Sequence, residues 1–408
     1  MRNITVVDAR MGRGKSSAAI RYMNQHKEAK CFLYITPYLT EVDRVCEQCD
    51  FKEPDKGLVS KSAQLKEMMR RRSNIASTHA LFTLMDEEAL DIARAQGYCL
   101  IIDESLPIIR GVPVSPSDKE LLLRNRIISV NEEDGLVSWF KPEYEGAFGG
   151  YRQMSEEGVL YYHSDTFYGL MNPSKLLPFS EVYILTYLFC GQLMRAYLDF
   201  FGFTYDIVGV KQGESGYYFS DAPDAPPPTD YTKLIHILDA HKHGGDSRMN
   251  KIGEGRGVLS LNWFKKRGRT HPDVQTLRKN LDTFFRHRTK AAAGQRLWTT
   301  YKDMAPRLFG AQKRYAPDFL PLNARATNAH REANAVAYLV NRFVDPNFVK
   351  FFAARDIKLD SEQFALSEML QFIWRSAIRD DKEIQLYIPS ARMRKLLIDW
   401  MNEMKDCG

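Results

Sequence analysis

The chain has 408 residues, of which 44% are hydrophobic and 12% aromatic, and its formal net charge is +6 at pH 7. This composition excludes a disordered chain, and the length predicts two or three domains with packed cores. No apolar run is long enough to cross a bilayer, and a strand and a loop stand where a signal peptide would be. We therefore expect a cytoplasmic protein without a membrane partner.

The strongest local signal lies at the start of the chain. An apolar stretch over residues 4–7 runs into Ala9-Arg10-Met11-Gly12-Arg13-Gly14-Lys15-Ser16, the spacing of a phosphate-binding loop with Ala9 at the place of its first glycine. Glycines let backbone N–H groups curl around a triphosphate, and a helix N-terminus stands behind them. ATP is therefore the first expected ligand. The predicted nucleotide-binding residues are Ala9, Gly12, Arg13, Gly14, Lys15, Ser16 and Ser17.

A buried-strand pattern over residues 98–102 ends in two adjacent acids, Asp103 and Glu104. Active groups of parallel α/β sheets sit at the carboxyl ends of their strands. We expect Asp103 to bind Mg²⁺ together with Ser16, and Glu104 to polarise the water that attacks the γ-phosphate. A simpler interpretation is that the acid pair ends a strand and caps the following turn.

Apolar runs and helical patterns alternate along the chain, which is typical of βαβ units around parallel sheets. The predicted strands are 4–7, 31–35, 74–77, 100–102, 181–185, 217–219, 257–261, 295–299 and 384–388. The predicted helices are 16–26, 40–49, 62–70, 79–96, 231–241, 272–288, 331–342, 366–378 and 391–404. We expect a first lobe over residues 1–202, with an insertion at about 106–180, and a second lobe over 203–408.

The order of these motifs resembles the superfamily 2 DEAD/DEAH-like helicases, and most closely the helicase proteins encoded by bacteriophages. The loop and the acid pair stand at motifs I and II, Ile35-Thr36-Pro37 at motif Ia, Ser77-Thr78-His79 at the next nucleic-acid-contacting turn, and Leu185-Thr186-Tyr187 at motif III; residues 259–263, 323–328 and 371–379 stand at motifs IV, V and VI. The resemblance implies two RecA-like P-loop NTPase lobes with parallel sheets, the second divergent. It also implies nucleic-acid contacts by Thr36, Pro37, Ser77, Thr78, His79, Asn262 and Thr327.

In this family motif VI supplies arginines to the γ-phosphate. Gln371, Arg375 and Arg379 are four residues apart, so a helix would place them on one face. Either arginine would offset transition-state charge. The expected catalytic set is Lys15, Asp103, Glu104, Gln371, Arg375 and Arg379. The alternative is a basic stripe that faces solvent.

A basic segment follows motif IV, beginning with Lys265, Lys266, Arg267 and Arg269 and continuing to Lys290. Such a segment would neutralise phosphates without reading sequence, or it would be an ordinary solvated surface. The leading hypothesis is an ATP-dependent helicase or translocase that acts on nucleic acid, with DNA the expected polymer. Its setting would be phage replication, recombination or repair in the host cytoplasm, with proteins of those processes as partners. Two alternatives stay open, a DNA-packaging terminase-type ATPase and a non-catalytic nucleic-acid-binding module.

Overall fold

The computed structural model describes residues 3–55, 60–144, 146–222, 229–238, 248–322 and 330–406. The strands are β1 (Asn3–Asp8), β2 (Phe32–Thr36), β3 (Ile75–Thr78), β4 (Cys99–Asp103), β5 (Ile109–Val112), β6 (Ile128–Val130), β7 (Val137–Trp139), β8 (Leu160–His163), β9 (Thr166–Leu170), β10 (Glu181–Thr186), β11 (Thr204–Gly213), β12 (Gly216–Ser220), β13 (Ile235–Ile237), β14 (Arg296–Thr299), β15 (Ala335–Tyr338) and β16 (Ile384–Tyr387). The α-helices are α1 (Lys15–His26), α2 (Leu39–Cys49), α3 (Lys61–Arg70), α4 (His79–Thr83), α5 (Glu87–Gln96), α6 (Pro116–Arg124), α7 (Gly149–Glu156), α8 (Leu193–Phe200), α9 (Tyr231–Leu234), α10 (Leu261–Lys265), α11 (Pro272–Thr283), α12 (Pro346–Ala353), α13 (Ser361–Ile373) and α14 (Ala391–Asp406).

The chain forms two compact units. The first contains residues 1–8, 15–223 and 345–360, and the second contains residues 9–14, 224–344 and 361–408. The sequence predicts a boundary at 202/203, but β11 continues the first sheet by pairing with β1, and β12 pairs with β11. The first unit therefore extends past residue 203 to residue 223. It also includes the later segment 345–360.

The sheet of the first unit has the strand order β12-β11-β1-β10-β4-β2-β3, and its strands are parallel except for β12. Strands β2 and β4 are buried along their whole length, as expected for a parallel sheet covered on both faces. Because β10 pairs with both β1 and β4, it separates the strand that leads into the glycine loop from the strand that carries the acid pair.

The sheet of the second unit has the order β13-β16-β15-β14, and all of its pairs are parallel. If these four strands are numbered 1 to 4 as they occur in the sequence, their order across the sheet is 1-4-3-2. Four adjacent strands of the first unit, β1-β10-β4-β2, have the same order when they are numbered in the same way. The predicted α/β fold with parallel sheets is therefore confirmed, and the shared order is what two related lobes would have.

The predicted insertion carries its own small sheets. Strands β5, β9 and β8 form an antiparallel sheet, and β6 pairs with β7. These strands and the two helices among them bury an apolar cluster of Val112, Leu122, Ile127, Ile128, Val137, Leu160 and Phe167. The insertion thus has a local core as well as contacts with the main sheet's core.

Several predicted elements differ from the structure. The helix predicted over 79–96 is two helices, because the Asp86 side chain accepts the Ala89 N–H and starts α5. Residues 331–342 are predicted as a helix but contain β15, whose buried residues pair with strands on both sides. Residues 257–261 are predicted as a strand but lead into α10, which Ser260 caps. Within the helix predicted over 231–241, α9 ends at Leu234 and β13 begins at Ile235, and residues 239–241 lie outside the described residues.

Candidate nucleotide-binding site

The glycine loop connects β1 to α1. Gly12 and Gly14 have φ angles of 76° and 77°, a left-handed conformation that glycine adopts without steric cost. Ala9 is wholly buried, so its methyl group occupies packed space where the strict motif has glycine. Helix α1 begins at Lys15, directly after the loop, and the N-terminus of a helix favours an anion. Ser17 is engaged differently, since its hydroxyl accepts a hydrogen bond from Arg44.

Asp103 ends β4 and is the centre of the polar contacts at this edge of the sheet. Its Oδ2 accepts hydrogen bonds from the Tyr34 hydroxyl at 2.7 Å and from the Ser16 hydroxyl at 3.4 Å. Burial raises the pKa of Asp103, whereas the Tyr34 hydrogen bond and the charge of Lys15 lower it. The structure therefore brings Ser16 and Asp103 together, as the sequence predicts for a Mg²⁺ site.

The same edge holds polar groups that suit a hydrated ligand. Thr186 ends β10 and Thr36 ends β2, the two strands that flank β4. Both threonines are buried, and their hydroxyls have no hydrogen-bond partner among the described residues. Buried hydroxyls normally have partners. Oxygen donors such as Ser16 and Asp103 are those that Mg²⁺ prefers, so the donor set fits this ion.

Glu104 follows Asp103 with a φ of 67°, which is uncommon for a residue with a side chain. Its N–H donates to the Leu185 carbonyl at 3.0 Å, which fixes the turn at the end of β4. Such strain costs about 1–3 kcal/mol and gathers at functional sites. The partly exposed Glu104 side chain is thus presented by a turn that the neighbouring strand β10 stabilises.

The structure places the residues expected to contact nucleic acid at the ends of β2 and β3. Thr36, Ser77 and His79 are buried. His79 Nε2 lies 3.0 Å from the Asp103 carbonyl oxygen, and burial lowers the pKa of His79 to about 4, which keeps the ring neutral. Thr78 caps α4 by accepting the Leu81 N–H, and Pro37 is partly buried. Tyr34 is the contact that sequence reasoning missed.

Arg375 and Arg379 are not on one helix with Gln371. Helix α13 ends at Ile373, and Arg379 lies in a separate 3-10 helix over Ala377–Asp380. The predicted spacing of four therefore does not align these side chains. Arg379 is exposed, and Nη1 of the partly buried Arg375 has no hydrogen-bond partner among the described residues. Thr327 lies outside the described residues.

The predicted basic segment is well exposed in the second unit. Asn262, Lys265, Lys266 and Arg269 are exposed, and no described carboxylate forms an ion pair with the three charged ones. Arg267 differs, since it pairs with Asp273 at 2.9 Å and lies over the ring of the buried Trp263. At the end of α11 a π-helix, Phe284–Arg288, adds the exposed Arg286, His287 and Arg288.

Two kinds of feature are absent from the described residues. These residues contain no cluster of three or more His, Cys, Asp or Glu side chains that would hold a metal ion. In the same part of the chain, no helix combines the length and the apolar character that crossing a membrane requires.

The fold and site define an α/β protein with a glycine loop and an acid pair at the carboxyl edge of a parallel sheet. Residues 229–401 match the family described as the YonV C-terminal Rossmann-like domain, and residues 109–171 match the YonV middle domain. The SPbeta prophage-derived uncharacterized protein YonV of Bacillus subtilis (strain 168) is 32% identical over 99% of this chain and 100% of its own length. The chain therefore belongs to the YonV family.

Two solved structures are similar at low identity. A structure of XPD in the apo state aligns with 97% of this chain and 95% of its own at 13% identity and a TM-score of 0.47. The DUF1998 helicase MrfA, bound to DNA and AMPPNP, aligns with 98% of this chain and 48% of its own at 10% identity and a TM-score of 0.36. At these scores the two likenesses establish no activity for this chain.

Proposed function

We propose that this protein hydrolyses ATP with Mg²⁺ and couples the reaction to movement on nucleic acid. The observation that carries the proposal is the pairing of Ser16 with Asp103 directly behind a loop with two left-handed glycines. A phosphate loop needs such a serine and such an aspartate to hold a metal beside the phosphates.

Each group of the proposed site has a separate role. Backbone N–H groups of the loop and the Lys15 ammonium bind the phosphate oxygens and orient the triphosphate. Ser16 and Asp103 would hold Mg²⁺, which supplies charge neutralisation at the phosphate oxygens when bound. Glu104 accepts the proton of the attacking water. The role that the helicase resemblance gives to Arg375, Arg379 and Gln371 stays a prediction.

Nucleic acid is the proposed partner because of the distribution of charge. Between residues 265 and 290 the sequence has nine basic and two acidic residues, although the whole chain has a net charge of only +6. The two acids, Asp273 and Asp282, already form ion pairs with arginines. The exposed lysines of this segment are left to contact phosphates. DNA is the proposed polymer, and phage replication, recombination or repair in the host cytoplasm the proposed setting.

Charge reversal tests this surface. We expect Lys265→Glu with Lys266→Glu to weaken binding to DNA of any sequence and to lower the slope of log affinity against log salt by about 2, because each lost phosphate contact removes roughly 0.9. The measurement is DNA binding by fluorescence anisotropy over a salt series. Lys350→Glu with Lys358→Glu is the matched control, since both lysines are exposed in the first unit. A slope equal to that of the unmodified protein would identify a solvated surface without nucleic-acid contacts.

The deciding experiment is ATP turnover by the purified protein with single-stranded DNA, duplex DNA, RNA or no polymer. A higher rate of turnover with one polymer supports the proposal and identifies the nucleic acid on which the protein acts. A rate that is the same with and without every polymer favours a packaging or protein-coupled ATPase. No turnover, with the fold intact by circular dichroism, favours the non-catalytic binding module.

A further inference from the structure

We propose that Tyr34 is the positioning residue that fixes Asp103 for metal binding, an inference that rests on the proposed function. Its hydroxyl donates to Asp103 Oδ2 at 2.7 Å, which is the short distance typical of an O–H donor and a carboxylate. Tyr34 therefore acts on Asp103 and would not touch the nucleotide.

The location of Tyr34 makes this contact a fixed one. It lies in the middle of β2, directly beside β4, where its register partner is Ile101. Tyr34 is wholly inaccessible to solvent, and the other side chains of β2 before Thr36 are apolar. A buried phenol is costly unless its hydroxyl has a partner. Here Asp103 is that partner, and its carboxylate accepts the hydrogen bond from the neighbouring strand β2.

A second restraint acts on the main chain of the same residue. His79 begins α4 and lies 3.0 Å from the Asp103 carbonyl oxygen through Nε2. The side chain of Asp103 is thus held by Tyr34 and its backbone by His79. Ser16 also reaches Oδ2, but at the longer distance of 3.4 Å. Ser16 is itself an expected metal ligand and Tyr34 is not, so the Tyr34 hydrogen bond would remain available to hold Asp103 with Mg²⁺ present.

This arrangement explains why an aromatic hydroxyl stands in a core strand. A metal ligand that is held in one orientation loses little freedom when the metal arrives, whereas an unrestrained carboxylate must be ordered at that moment. A carboxylate has two oxygens with several acceptor positions, so a hydrogen bond to one of them leaves capacity for a metal. Tyr34 accordingly contributes to metal affinity and leaves the chemistry of hydrolysis to other groups.

The test is Tyr34→Phe, which removes the hydroxyl and keeps the ring. We expect the dissociation constant for Mn²⁺ in the presence of ADP, measured by electron paramagnetic resonance, to rise about 10-fold. The Mg²⁺ concentration for half-maximal ATP turnover should rise by a similar factor, while kcat at saturating Mg²⁺ stays within about twofold. Tyr98→Phe is the matched control, because Tyr98 is equally buried and its hydroxyl donates to the Ser73 carbonyl, away from Asp103.

Each outcome decides a different point. If the unmodified protein binds Mn²⁺ with ADP and Tyr34→Phe binds it equally well, the positioning role is refuted while the proposed function stands. If Tyr34→Phe and Tyr98→Phe lose metal affinity equally, the effect is general to buried hydroxyls, and the role is refuted as well. If the unmodified protein binds no Mn²⁺ with ADP, the proposed function fails and the role of Tyr34 fails with it.

Discussion

Glu104→Gln is expected to lower ATP turnover by about 1000-fold while nucleotide binding stays close to normal. Glutamine keeps the size and hydrogen-bonding reach of the side chain, but it cannot take up the proton of the attacking water, a function that contributes about 10²–10⁴ in rate. The left-handed backbone at this position is equally strained with either residue. The measurement is steady-state turnover beside the affinity for a fluorescent ATP analogue.

Glu88→Gln is the matched control for this prediction. Glu88 is exposed in α5 of the same unit and pairs with Lys66, so its substitution should leave turnover unchanged. If Glu104→Gln turns over ATP at the normal rate, water is activated by another group and the assignment of Glu104 is wrong. A loss of nucleotide affinity equal to the loss of turnover would place Glu104 in ground-state binding instead.

The sequence was sufficient to predict the elements around the candidate site because their signals are local. Gly12 and Gly14 stand between a strand and a helix, and both adopt the left-handed backbone that the motif requires. Asp103 follows a continuous apolar run, which is typical of a strand buried on both faces. These features depend on neighbours in the sequence, so they could be predicted without knowledge of tertiary contacts.

Strand β15 shows where local signals fail. Residues 335–340 form a short apolar run, and such a run does not distinguish a buried strand from a buried helix. What decides the matter is pairing with β14 and β16, whose residues lie more than 30 positions away in the sequence. The prediction for Gln371, Arg375 and Arg379 fails for a similar reason. Their spacing of four residues is typical of one helix face, but α13 ends at Ile373.

The contacts of Asp103 were beyond sequence reasoning for a related reason. His79 is a plausible surface residue by type, yet its ring is buried against the Asp103 carbonyl. Tyr34 stands in a strand like many other core aromatics, and only the parallel register of β2 with β4 brings its hydroxyl to a carboxylate. Hydrogen bonds between strands depend on sheet order, and sheet order is a property of the whole unit.

The segment 345–360 gives the second large prediction. Phe351 of α12 is wholly buried in the first unit, with its ring centroid 4.9 Å from that of Tyr168 and 5.8 Å from those of Tyr161 and Phe200. The Arg355 guanidinium covers the same ring at 3.9 Å. Phe351→Ala should therefore lower the free energy of unfolding by about 3–5 kcal/mol, as large core truncations do. Chemical denaturation measures this change.

In the sequence, α12 lies between β15 and β16, which are strands of the second unit. Hydrogen exchange shows which of the two units the packing of Phe351 stabilises. Because Phe351 contacts Tyr161 and Tyr168, we expect Phe351→Ala to speed amide exchange in β8 and β9 and in α8 before it affects β14. Lys350→Ala, on the exposed side of α12, should change the free energy of unfolding by less than about 0.5 kcal/mol. Faster exchange confined to β15 and β16 would mean that α12 stabilises the second unit, and the assignment of residues 345–360 to the first unit would be wrong.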